Sequence, residues 1–225
     1  MILPSLGIAS TPVENYNASI EAGDMNGAAQ AEADINAIDP SGITAASVSK
    51  DQCTYGALRV AEAKLRLVEL GKIDIVAKTM LKMPILHAAS ILSEMAIMDL
   101  VMTAEVLLEA HRQMPAEAIM LLLETHRQMP VEAVMLLLEA HRQMPAEAIM
   151  LLEGAIREDL LESAELILNM YYADPSETLM IMGVLADVMD VMIMNDVMNA
   201  IREMDPNAAG IIDPVITPDP GPVQP

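Results

Sequence analysis

The amino-acid sequence predicts an all-α fold of short repeated helices, with an extended N-terminal arm and a proline-rich C-terminal tail. Three near-identical fifteen-residue segments begin at Pro115, Pro130 and Pro145. Their apolar residues recur at the spacing of one helix face, and proline opens each segment, where a helix tolerates it best. Units that bury their apolar faces against their neighbours define an α-solenoid.

The first segment, residues 1–55, is rich in Ala, Asn, Gly, Ser and Asp and lacks sustained periodicity. We expect an extended or loosely ordered arm with one short helix around residues 27–37. The run Asp39-Pro40-Ser41-Gly42 is a turn signal. The first ten residues contain no basic residue, so we expect no secretory signal and a cytoplasmic location, or one within an assembled particle.

The pattern of apolar and basic residues over 56–84 predicts a basic amphipathic helix that Gly71 ends or breaks. One face carries apolar residues at helical spacing, namely Leu58, Ala61, Leu65 and Val68. Residues 50–82 hold seven of the twelve Lys and Arg residues. Two interpretations of this charge stay open, a solvated face and a docking site for an acidic partner.

Residues 85–204 divide into eight units of fifteen residues without an insertion. The units begin at Ile85, Leu100, Pro115, Pro130, Pro145, Leu160, Pro175 and Asp190. We number positions within a unit from these residues, so Pro115 is position 1 and Met129 is position 15. Because a residue before proline avoids helical geometry, we expect Met114, Met129 and Met144 in the connections.

Each unit should therefore hold one helix of about 11–12 residues, about 17 Å long. The alternative is a bundle of long helices kinked at the prolines, in which each interior proline would cost about 3 kcal/mol or more. The wide apolar arc of a unit requires cover on more than one side. Residues 205–225 contain six of the fourteen prolines and predict a polyproline-like or disordered tail.

Met114-Pro115-Ala116-Glu117-Ala118 and its two copies, which begin at Met129 and Met144, resemble a known pattern. Short helices that open in this way occur in the N-terminal domain of magnesium transporters and in the middle domain of flagellar-switch proteins. Met204-Asp205-Pro206-Asn207-Ala208-Ala209 resembles the pattern more closely. The resemblance covers about half of the chain and implies a superhelical interaction domain. We expect no transport or motor role, because no channel or motor-docking domain follows.

The composition excludes several classes of function. Twelve Lys and Arg against 33 Asp and Glu give a net charge of -21, which would repel a nucleic-acid backbone. The chain has no Phe or Trp and only four Tyr, so it lacks the aromatic side chains on which bases stack. One Cys, Cys53, cannot form an intramolecular disulfide. Charged residues interrupt the longest apolar runs, so we expect no transmembrane helix.

A row of histidine and methionine side chains recurs through the central units. Imidazole and thioether are soft ligands that suit copper or haem, and histidines also titrate near neutral pH. The competing interpretation is a structural histidine that the duplication has copied. The candidate metal ligands are His111, His126, His141, Met114, Met129 and Met144.

A second recurring set consists of one glutamate and one arginine per unit, which we expect to mediate interactions with other proteins. This set comprises Glu109, Glu124, Glu139, Arg112, Arg127 and Arg142. The glutamates alone suit Ca²⁺ or Mg²⁺, although a solvated face is the commoner outcome.

The sequence holds no nucleophile triad or phosphate-binding loop, and we predict a scaffold protein without enzymatic activity or cofactor. It would act as a homo-oligomer or as a subunit of a larger complex, particle or filament. The alternatives are a metal- or pH-responsive binding protein and an acidic adaptor for a basic partner.

Overall fold

The computed structural model describes residues 11–38 and 57–216, which form thirteen helices and no strand. The first four helices precede the repeats: α1 (Pro12–Ala22), α2 (Met25–Ile38), α3 (Ala57–Glu69) and α4 (Ile73–Lys82). The next seven follow the fifteen-residue period: α5 (Ile85–Met98), α6 (Leu100–Gln113), α7 (Pro115–Gln128), α8 (Pro130–Gln143), α9 (Pro145–Glu158), α10 (Leu160–Ala173) and α11 (Pro175–Val188). The last two are α12 (Val191–Met204) and α13 (Pro206–Ile216).

Each helix from α5 to α11 has 14 residues, and between α5 and α11 a single non-helical residue separates each helix from the next. Met114, Met129 and Met144 occupy such connections, as predicted, with φ near -140°. The repeats are therefore separate short helices. The predicted length of 11–12 residues was too short. Only the one residue before the proline is non-helical, so the other 14 residues of the unit form the helix.

The repeat helices pack against their neighbours one and two places along the chain, and α5, α6 and α7 also contact the helix three places ahead. This cover on several sides explains how Leu121, Leu122 and Leu123 are all buried although they are consecutive. One apolar core runs continuously from α3 to α13. The predicted all-α helical-repeat fold is thus confirmed.

One extra residue interrupts the period near the C-terminal end of the repeats. Both Met189 and Asp190 lie between α11 and α12, where the other connections have one residue. The buried Met194 and Val197 of α12 match Ala118 and Leu121 of α7 only if the unit begins at residue 191. The prediction of eight units without an insertion was wrong at this point. The sequence alone did not show the extra residue, and the burial of Met194 and Val197 places the start of the last unit at residue 191.

The predicted extended arm is wrong for residues 11–38, which form the helices α1 and α2. Thr11 and Glu14 form a capping box at the start of α1, and Gly23 adopts φ 74° in the turn after it. Tyr16 and Ile20 of α1 pack against small residues such as Ala28 of α2. Alanines allow this close approach but give a weak periodic signal, which is why the sequence indicated only part of α2.

Gly71 ends α3, as expected, so the predicted basic helix of residues 56–84 becomes the two helices α3 and α4. Gly71 has φ 73°, and the amide of Lys72 donates to the Leu67 carbonyl at 3.1 Å, as in a Schellman motif. The predicted tail is also corrected, because residues 206–216 are helical with Pro206 in the first turn. Cys53, the turn at residues 39–42 and residues 217–225 lie outside the described residues.

Candidate functional site

The most regular polar feature of the repeats is the run His-Arg-Gln at positions 12, 13 and 14 of α6, α7 and α8. These positions belong to the last turn of each helix, where basic side chains face the negative end of the helix dipole. The helix three places along the chain begins close to this last turn. We call the contacts of these three side chains the clasp of a unit.

The arginines of the clasp reach forward by three helices. Arg112 Nε donates to Glu147 of α9 at 3.2 Å, and Arg142 Nη2 donates to Asp174 at the start of α11 at 3.1 Å. Arg127 Nη2 donates to Asp159 at the start of α10 at 2.9 Å. The hydrogen bond to Glu147 raises the pKa of Arg112 above its usual value. Each such half-exposed pair contributes up to about 1 kcal/mol.

Each of these arginines also pairs with the glutamate three residues earlier in its own helix, namely Glu109, Glu124 or Glu139. The six residues predicted to mediate interactions with other proteins are therefore engaged in contacts within the chain. Sequence reasoning missed this role because the partners lie 32 or 35 residues away.

The histidines of the clasp also reach forward. His126 Nδ1 lies 2.6 Å from Glu162 Oε1, and the Asn169 amide nitrogen lies 3.2 Å from His126 Nε2. This arrangement suits a neutral imidazole that donates through Nδ1 and accepts through Nε2. His141 Nδ1 lies 2.5 Å from Glu177 Oε1.

His111 lies in a more apolar environment. Burial lowers its pKa from the usual value, and the nearby Glu147 carboxylate offsets part of this effect. His111, His126 and His141 thus lie on three successive helices, and the latter two pair with carboxylates on different helices. Within the described residues, no group of three or more His, Cys, Asp or Glu side chains could hold a metal ion.

The glutamines of the clasp reach back by two helices and donate to backbone carbonyls. Gln113 donates to Asp74 at 3.1 Å, and Gln143 donates to Val101 at 3.1 Å. Gln128 donates to Leu86 at 3.3 Å. Each clasp thus joins one helix to the helix three places ahead and to the helix two places behind.

Seven of the apolar residues that stay exposed lie at positions 2 and 6 of the units. Because these positions are four residues apart, they lie on one face of each helix. We call this set the ridge: Leu86, Val101, Met120, Val131, Met150, Leu161 and Met180. Val131 is 69% exposed and Met150 is 58% exposed. A repeated apolar surface of this kind is typical of a protein-binding face.

Three grooves lie beside the ridge, each between the first half of one helix and the last turns of the helix two places along, and the end of α4 and the start of α5 also line the first of them. The α7–α9 groove has a volume of about 440 Å³, the α8–α10 groove about 330 Å³ and the α9–α11 groove about 430 Å³. These volumes fall within the range of about 300–1,000 Å³ that is usual for ligand sites. Methionines line all three grooves, namely Met120, Met135 and Met150 with Met80 and Met83.

The comparisons with known proteins assign no class. No protein-family model, no curated protein and no solved structure matches this chain. The resemblance to the magnesium-transporter and flagellar-switch helical domains therefore stays a prediction. In the part of the chain that the structure describes, no helix combines the length and the apolar character that crossing a bilayer requires.

Proposed function

We propose that this protein is a non-enzymatic scaffold that assembles with other proteins through the acidic, methionine-rich surface of its helical repeats. The observation that carries the proposal is that the polar and the apolar side chains of the repeat are placed differently. The polar clasp residues are engaged in contacts within the chain, whereas the ridge residues are exposed and repeat an apolar surface.

The chemistry of the surface supports this role. Methionine side chains are flexible and polarisable, so they adapt to partners of different shape. The short helices present equivalent side chains at regular intervals, which suits contact with an extended or repeated partner. The net charge of -21 favours solubility of the free protein and association with partners of lower negative charge.

The test compares a ridge variant with a matched control. The ridge variant carries Val131→Thr, Met150→Gln and Leu161→Thr. The control carries Glu105→Gln, Glu132→Gln and Glu165→Gln, three acidic residues that have no ion pair among the described residues. Each protein is used, at equal concentration, to isolate its native complex, whose mass is measured by size exclusion with light scattering.

We expect the wild-type chain and the control variant to form a stoichiometric complex with themselves or with other subunits, and the ridge variant to lose it. A wild-type chain that stays monomeric at every salt concentration, without stoichiometric partners, would contradict the proposal. Equal retention of partners by the ridge variant would also contradict it.

A second candidate function is pH-responsive assembly, which the recurrence of a histidine at position 12 of α6, α7 and α8 favours. Protonation of imidazoles adds positive charge to an acidic protein and weakens its self-repulsion. Light scattering between about pH 5 and 8 tests this function. Tighter association at the acidic end is the expected result, and a flat profile would argue against it.

A further inference from the structure

We infer that the α7–α9 groove is the docking site for a cationic amphipathic helix of a partner protein. This inference rests on the proposed function and names the chemistry of one partner. Of the three grooves, this one alone is lined by two carboxylates, those of Glu117 and Glu158.

The floor of the groove is apolar and adaptable. Met80 and Met83 at the end of α4, Met120 in α7 and Leu121 in α7 line it. Glu117 and Glu158 line the same groove from α7 and from the end of α9. Neither carboxylate has an ion pair or a hydrogen bond with another residue in the ranges 11–38 and 57–216.

Glu117 lacks a cation because the preceding helices lack a clasp. It occupies position 3, as do Glu147, Glu162 and Glu177, which pair with an arginine or histidine from the helix three places back. For Glu117 that helix is α4, which has only ten residues and ends at the exposed Lys82. No arginine at position 13 therefore reaches Glu117.

Glu158 lacks a partner because it replaces the glutamine of the clasp. Position 14 holds Gln113, Gln128 and Gln143 in the three preceding units, and each donates to a backbone carbonyl two helices back. The equivalent carbonyl for α9 is that of Ala116. A carboxylate has no proton to donate to a carbonyl, so the α7–α9 pair stays unclasped.

Charge selects the occupant of the groove. A segment with apolar side chains and flanking lysines or arginines would fill the methionine floor and neutralise both carboxylates. A second copy of this chain also carries a net charge of -21. Its own basic helix, α3, already buries Leu65, Leu67 and Val68 in the core, so it offers no free apolar face.

The experiment measures the affinity of the full chain for a designed peptide by fluorescence anisotropy at two salt concentrations. The peptide is a labelled helix of Leu, Ala and Lys with its leucines on one face. A scrambled peptide of the same composition removes the apolar face, and a peptide with Glu in place of Lys reverses the charge.

The groove variant carries Glu117→Gln and Glu158→Gln. The control variant carries Glu132→Gln and Glu165→Gln, which remove the same charge outside the groove. We expect the groove variant to bind the helical peptide about fivefold to thirtyfold more weakly than the wild type, as two lost ion pairs predict. We expect the control variant to bind within about twofold of the wild type.

Two results would overturn the inference: equal weakening in both variants, or equal binding of the scrambled peptide. The ridge variant separates this inference from the proposed function, because its three changes lie outside the α7–α9 groove. If the ridge variant assembles normally while the groove variant loses the peptide, the proposed function fails and the groove survives. If the ridge variant fails to assemble and the peptide binds all proteins equally, only the groove fails.

Discussion

A buried ion pair between the N-terminal hairpin and the rest of the fold gives the largest expected effect of a single substitution. The side chain of Lys64 in α3 is 0% exposed, and it contacts Glu32 of α2, whose side chain is 2% exposed. Lys64 also donates to Thr79 of α4 at 2.8 Å. These three groups connect α2, α3 and α4 at one buried point.

Glu32→Ala leaves the Lys64 ammonium group buried with Thr79 as its remaining partner. Removal of one member of a buried ion pair costs about 3–5 kcal/mol, because the other charge stays desolvated. The total free energy of unfolding of a domain is about 5–15 kcal/mol, so the variant should lose a large part of it. Glu32→Leu combined with Lys64→Met removes both charges and should be neutral or stabilising by about 1–4 kcal/mol.

Urea denaturation followed by circular dichroism measures these free energies for the wild type, for the single variants Glu32→Ala and Lys64→Met, and for the double variant. We expect each single variant to unfold at a much lower urea concentration than the wild type, and the double variant to recover. A loss below about 1 kcal/mol in Glu32→Ala, or a double variant as unstable as the singles, would refute this reasoning.

Further predictions concern a histidine and two connections. Because burial lowers the pKa of His111, the unfolded chain binds its proton more readily. The contribution of His111 to stability is therefore complete above about pH 6.5 and falls at lower pH. The urea midpoint of the wild type should fall between about pH 7 and 5, and His111→Gln should make this fall smaller. An unchanged pH dependence in the variant would contradict this. Met144→Asp should add an N-cap to α9, worth about 1 kcal/mol, and a third carboxylate acceptor for Arg112, whose guanidinium contacts the Met144 sulfur and already pairs with Glu109 and Glu147. Met129→Asp is the control, since it adds the cap alone, and equal gains in melting temperature would count against the added contact with Arg112.

Much of the fold could be predicted because it depends on local chemistry. Proline at position 1 and the extended residue before it determine where each repeat helix begins, and a left-handed glycine at residue 71 ends α3. The wide apolar arc also indicated cover on several sides. The hairpin of α1 and α2 was missed because it is packed through small alanines, and the extra residue between α11 and α12 changes no local propensity.

The candidate site was harder to predict because its contacts skip helices. The recurrence of histidine, arginine and glutamate was visible, but the sequence alone did not distinguish a shared outward face from a bond three helices away. The carboxylates at position 3, such as Glu147 and Glu162, were the available signal. Glu158 in place of glutamine was also visible, and its meaning depends on where Gln113 and Gln143 donate their hydrogen bonds.

The most direct test of the central claim is a double-mutant cycle between His126 and Glu162, which are 36 residues apart and 2.6 Å from each other in the folded chain. Urea unfolding of the wild type, His126→Gln, Glu162→Gln and the double variant gives their coupling free energy. If the recurring polar motif joins each helix to the third helix ahead, the coupling should be about 1–2 kcal/mol. Effects that add within about 0.3–0.5 kcal/mol would show that the two residues do not interact, and would contradict the clasp.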